Sequence, residues 1–344
     1  MHDWHPRCPP PAGLVRPVPV DPAGLVGPTR GQAAGPRWRR TSRGLHVPAD
    51  VPATAEQRIL EAAARLPDSG MVTGWAALRM AGASYFDGTG PRQGALRPVP
   101  VLLPHSVRLR SAGLLVERTR RCLPPSVGRY GVPCAPAAVA LLHELHRAVS
   151  DRSAGVMVDM ALAAGVVDLR TTAALADARH PLRPAASYAL ARACPDCRSP
   201  KESELMQVWE VDAGFPRPLM NREVLDARGR VVAVVDLLEA ESGTYGEYNG
   251  ASHRSRERQR RDEARAADLR GLGLEGFVVV AGDSHRVWLE RMRAARQRAG
   301  WLPEDRRSWR VGRTVRAPAL PDSAALPDEA ALDAIMLEHY RALE

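Results

Sequence analysis

Glu204, Asp236, Glu247 and His253 are the residues of this chain whose types and spacing suit hydrolytic chemistry on a phosphate. Asp236 lies inside VVAVVDLL (231–238), which reads as an almost fully apolar strand. A lone carboxylate there is costly unless it is paired, hydrogen-bonded or bound to metal. Glu247 follows eleven residues later, beyond a turn at 241–243. A hairpin sets its strands about 5 Å apart, so both carboxylates can reach the same end of a sheet. Two carboxylates so placed make a hard-oxygen site suited to Mg2+, or to Mn2+, together with waters and phosphate. Such an ion polarises a scissile phosphate and lowers the pKa of a bound water. His253, with a near-neutral pKa, can move a proton there. Glu204, on the preceding helix, can orient a metal-bound water. A satisfied strand-end Asp236 with a solvent-facing Glu247 remains the alternative reading of the two carboxylates alone.

The elements that must position these residues follow from periodicity. Residues 201–214 have helical spacing, with Leu205, Val208 and Trp209 near one side. LMNREVLDA (219–227) alternates as a strand, Arg228-Gly229-Arg230 turns, and 231–238 and 243–250 read as two more strands. An Arg-rich helix over about 254–271, a buried strand at 276–282 and a helix at 285–299 complete the order. Helix, three strands, helix, strand, helix describes an α/β sandwich of about 100 residues.

Upstream, residues 1–48 are rich in Pro, Gly and Arg and almost lack apolar periodicity, so they are expected to be largely disordered or weakly docked, with a short strand within WRRTSRGLHVP (38–48) entering the first domain. Residues 49–198 read as a mainly helical domain with a small sheet: helices at 56–66, 74–82, 135–149 and 153–165, short strands at 98–104 and 114–123. The polar run CPDCRSPKESE (194–204) looks like a linker. The third region, 199–300, is the α/β domain. The last, 301–344, is a Pro-rich tail ending in an amphipathic helix at 328–343, suited to docking on the body or on a protein partner. The whole is α/β, or α+β overall.

With 344 residues, 48 Lys+Arg and 39 Asp+Glu, the chain carries a net charge of +9. A basic surface favours polyanions, although Arg-rich composition can equally reflect a GC-rich genome. The five scattered cysteines have no disulfide-type spacing, the N-terminus lacks the apolar core of a signal peptide, and no run approaches a membrane span. A cytoplasmic protein without membrane attachment is expected.

Taken together, the ESEL string containing Glu204, VVAVVDLL, EYNGASH, RRDEAR and GLGLEGFVVV resemble the PD-(D/E)XK nuclease superfamily, more narrowly the branch related to very-short-patch-repair (Vsr) endonucleases. That branch carries a helix Glu, a strand Asp, and then E-x-D-G-x-x-H; the positions fall on Glu204, Asp236, Glu247, Asn249, Gly250 and His253. An Asp and an Arg in the following helix are matched by Asp262 and Arg265. The resemblance covers about residues 199–285. It implies a restriction-endonuclease-like fold and metal-dependent hydrolysis of DNA. Asp236, Glu247 and Asn249 would then hold Mg2+, with Glu204 and His253 assisting. The lysine typical of the superfamily is absent. Asn249 stands where the branch has Asp, so one negative charge is missing from the metal site. Residues 40–185 resemble AbiEi-type antitoxin or regulator proteins through SRGLHVP, TGWAALRMAG and GVPC. This implies DNA contact by analogy, and a non-catalytic DNA-binding regulator with a degenerate nuclease domain as the second functional reading.

RSRERQRRDEAR (254–265) holds six Arg against three acidic residues. Arg254, Arg256, Arg258, Arg261 and Arg265 are the candidates for phosphate contacts, against the plainer reading of a solvated helix laced with Glu–Arg pairs. Trp288, Trp301 and Trp309 lie among arginines and can stack on bases, though Trp288 suits a core better. GLGLEG (271–276) follows a helix and precedes a strand, the reverse of a dinucleotide fingerprint. The single CPDC (194–197) lacks the second ligand pair of a zinc site and a recognisable redox context.

Overall fold

The apolar run around Asp236 becomes the middle strand of a five-stranded sheet. The structure is a computed structural model, and it describes residues 4–90, 94–109, 112–120, 127–177, 184–250 and 256–317. These residues fall into two units, one built mainly from 191–317 with 158–163, the other from 7–157 and 164–190. Mixed helices and sheets make the chain α/β overall.

The C-terminal unit opens with helix α1 (Pro200–Gln207). Ser199 caps it, its hydroxyl accepting from the Glu202 N–H, and Pro200 occupies the first turn, where a missing N–H costs nothing. A π-helical turn, Val208–Asp212, continues α1 and carries the fully buried Trp209. Strands β1 (Leu219–Asp226), β2 (Val231–Glu239) and β3 (Thr244–Asn249) form an antiparallel meander. Helix α2 (Arg256–Gly271) then crosses over to β4 (Glu275–Val280), which pairs parallel with β3. A parallel neighbour requires such a crossover. Helix α3 (His285–Arg298) follows, capped by Ser284. A last strand, β5 (Trp309–Thr314), returns to pair antiparallel with β1, giving the order β4-β3-β2-β1-β5.

Val224, Ala233, Val235, Leu238 and Tyr245 of the sheet pack with Leu269, Leu274 and Trp309. Trp209 stacks on Phe277, rings parallel to within 7° and 6.0 Å apart. Two glycines set the β3–β4 pairing. Gly246 lies under the Phe277 ring and Gly276 under that of Tyr245, where any side chain would overlap the ring. The starts and ends of these elements fall within a few residues of the periodicity reading, apart from β5, which has no counterpart in it.

The N-terminal unit carries a five-stranded sheet ordered Leu114–Thr119, Val99–Pro104, Met71–Val72, Val132–Cys134, Val127–Arg129. Around it stand helices Ala55–Ala63, Gly74–Met80 and Ala137–Leu145. Two expectations need correction. Residues 4–37 are not structureless: a short helix forms at Arg30–Ala33, and Val18–Pro19 joins a three-stranded sheet with Leu45–Pro48 and Trp38–Ser42, the segment where a strand is expected. Local hydrogen bonds replace the missing apolar periodicity. The Asp21 carboxylate accepts three backbone N–H groups, Thr29 and Gln32 form a capping box, and the Gln57 amide bonds Val15 through both its oxygen and its nitrogen. The run 194–199 is not an exposed linker either, because Cys194, Cys197 and Ser199 are buried.

Candidate carboxylate site

Leu237 pairs with Met220 of β1 and Gly246 of β3. One step further along, the register sets Asp236 opposite Asn221 on one side and Glu247 on the other. The β2–β3 ladder stops there, and the Asp236 carboxylate takes over: its Oδ2 accepts the Tyr248 N–H at 2.9 Å. Burial pushes the Asp236 carboxyl up to about 7. Repulsion from the Glu202 carboxylate is the next cause and Glu247 adds to it, while the Tyr248 N–H and Arg198 oppose. Asp236 is thus a half-buried acid facing two others, held by one N–H.

Glu202 is buried and well satisfied. It accepts from the Arg198 N–H at 2.8 Å, the Ser199 hydroxyl at 3.0 Å and the Asn221 amide at 2.6 Å. Asn221 reaches it from inside β1 with φ of +50°, a left-handed conformation that Asn tolerates better than most residues. Glu247 is paired with Arg265 of α2, 2.6 Å from Oε2, and Arg265 also bonds the Val234 carbonyl at 3.4 Å. Asp262 stands 3.9 Å from the same guanidinium.

The structure therefore brings together Asp236, Glu247 and Arg265, with Glu202 as an acid the sequence reading did not select. Glu204 sits elsewhere. Two residues along a helix is a rotation of about 200°, so Glu204 turns away from Glu202. It meets Lys201 Nζ at 2.7 Å and His285 Nε2 at 4.0 Å. The sequence held one signal for Glu202: Ser199 and Glu202 have capping-box spacing, which fixes the glutamate against the helix start. Asn249 ends β3, half-buried, with its carbonyl accepting the Ala281 N–H at 3.0 Å. His253 and Arg254 lie outside the described residues, as does the proposed C-terminal helix at 328–343. Arg256 and Arg258 belong to the first turn of α2, Arg261 is exposed on it, and Arg265 is turned to Glu247.

Trp288 is buried beside Tyr248, and Trp309 is buried in the core. Trp301 is the exposed one of the three, with the Arg296 guanidinium 4.5 Å above its ring. Among the described residues, no three His, Cys, Asp or Glu side chains converge as a metal-binding group, and no helix is long and apolar enough to cross a membrane. Asp236 and Glu247 are nonetheless a pair of acids that suits a hard cation, because a cation offsets the burial and the repulsion that raise Asp236. Comparison with protein-family models, curated proteins and solved structures returns no match for this chain.

Proposed function

We propose that the C-terminal unit is a restriction-endonuclease-like domain that hydrolyses phosphodiester bonds of DNA with a divalent ion. The observation that carries this reading is the crowding of acids at the end of the β2–β3 ladder: the half-buried Asp236, held by one N–H, faces Glu202 and Glu247 and is driven up to about 7. Asp236 and Glu247 would hold Mg2+, with Asn249 as a neutral oxygen donor; the ion, when bound, supplies Lewis-acid polarisation of the phosphate. The chain's own residues do the rest. Arg265 orients the Glu247 carboxylate, and the Tyr248 N–H fixes Asp236. The exposed Arg261 and its neighbours on α2 attract the DNA backbone. His253, by resemblance, handles the proton.

The second reading, a DNA-binding regulator of antitoxin type without cleavage, is favoured by one pairing. Arg265 already neutralises Glu247, and Asn249 brings no charge to replace it.

A plasmid-nicking assay with Mg2+ or Mn2+ separates the two. The nuclease reading expects nicking by the wild type, its loss in Asp236→Ala, and at least about tenfold faster nicking in Asn249→Asp, the gain of about 1.4 kcal/mol that a restored ligand charge can supply. Salt-sensitive DNA binding with no cleavage by either the wild type or Asn249→Asp leaves the regulator.

A further inference from the structure

Among the described residues, the cysteines outside this site fall into two kinds. The Cys8 and Cys134 thiols each donate to a backbone carbonyl, of Arg79 at 4.0 Å and Val132 at 3.4 Å. Cys194 and Cys197 face each other instead. The Cys197 N–H reaches the Cys194 carbonyl at 3.5 Å, so Cys194-Pro195-Asp196-Cys197 is a single turn that brings the two cysteines together. A turn keeps its first and last Cα atoms within about 7 Å, which covers the span of a disulfide.

The loop is pinned on every side. The Cys194 N–H donates to the buried Asp159 carboxylate at 2.6 Å, and the Ser203 hydroxyl donates to the other oxygen of Asp159, also at 2.6 Å. The Asp196 carbonyl accepts the Asn221 amide at 2.8 Å, and the Arg198 N–H is held by Glu202. Arg217 bonds the carbonyls of Arg192 and Ala193. The backbone of the turn is thus held by bonds that involve neither sulfur.

The two thiols are also unequal. Cys194 is 7% exposed and Cys197 is 0% exposed. The thiol of Cys197 lowers Cys194 to about 7, helped by the Asp196 N–H and Arg217, while Cys197 itself is raised well above its ordinary value. A thiol at the edge of the buried core, backed by a fully buried partner, is the arrangement of an attacking and a resolving cysteine.

We infer that Cys194 and Cys197 form a redox-active dithiol site that closes to a disulfide by exchange with low-molecular-weight disulfides. The Cys194 thiolate attacks one sulfur of the small disulfide, forming a mixed disulfide and releasing one thiolate. Cys197 then attacks the Cys194 sulfur, and the second small thiol leaves carrying the Cys197 proton. One small disulfide is reduced to two thiols for each bond formed.

The test equilibrates the full chain, native by circular dichroism, in glutathione buffers of increasing oxidation, followed by acid quenching, alkylation and peptide mapping. A Cys194–Cys197 linked peptide is expected, with one midpoint, while Cys8 and Cys134 stay alkylated. The reduced protein should alkylate at Cys194 at least about tenfold faster than at Cys134 near pH 7. Cys197→Ser should accumulate glutathione on Cys194. Thiols that stay free across the whole series, or a Cys194→Ser variant carrying an equal adduct on Cys197, would overturn the inference. The wild-type map decides even if a variant fails to fold, and it is independent of any nuclease activity.

Discussion

Glu144 and Asp236 are both carboxylates taken out of water, one in each unit, and their surroundings are opposites. Glu144, fully buried in the N-terminal unit, meets Arg97 at 2.6 Å, with Arg147 at 3.8 Å, and accepts the Trp75 N–H at 3.0 Å. Even the backbone yields to it. Gly74 has φ of +54°, and a Cβ there would lie 2.5 Å from Glu144 Oε1. Asp236 has one N–H bond and two acids for neighbours, with Arg198 a weaker counter-charge. Glu144 is a finished structural ion cluster, and its charge is answered within the fold. The charge of Asp236 is not, and the fold tolerates it by raising the carboxyl toward neutrality. Burial alone does not single out a candidate functional acid; burial beside like charge does.

Three measurements can break or sharpen this contrast. The largest effect belongs to Glu144→Ala, which leaves the part-buried Arg97 guanidinium and the buried Trp75 N–H without their acceptor; urea unfolding should show a loss of about 3 kcal/mol. Asp236→Asn should do the reverse. The Asp236 carboxyl is raised from 3.8 to about 7, so between those values the folded chain holds a proton that the unfolded chain has released. Its contribution is full below about 4 and is lost as pH rises through about 7. Without metal, Asp236→Asn should therefore exceed the wild type by about 2 kcal/mol at pH 8, with the gap closing toward pH 4. Equal stabilities at both pH values would make Asp236 another Glu144, and the contrast would collapse. The smallest effect is that of Arg265→Gln, where a part-exposed ion pair is lost: about 1 kcal/mol by the same unfolding measurement.

The sequence made Asp236 legible, because a charged residue in VVAVVDLL has no inexpensive explanation, and the turn at 241–243 put Glu247 within reach. The meander and the crossover were readable for the same reason, since strand and helix periods differ. Glu202 was harder to find. Choosing between it and Glu204 requires the rotational phase of α1, which is fixed by the Ser199 cap and by Asn221, a residue whose left-handed backbone no pattern announces. The partnership of Arg265 with Glu247 is a tertiary fact, and a run of arginines does not say which one turns inward. Residues 4–48 hold their shape through side-chain-to-backbone bonds, which hydrophobic periodicity does not register.

β5 was missed because WRVGRT offers little apolar alternation, yet Trp309 anchors it in the core and its backbone covers the free side of β1. An uncovered strand of that length is a template for pairing with other chains. A fragment cut near Gly300, where the helical part of the unit ends, would keep every candidate catalytic residue and still expose the β1 edge. Insoluble aggregates from such a fragment would report the loss of an edge guard and carry no information about the chemistry of the site.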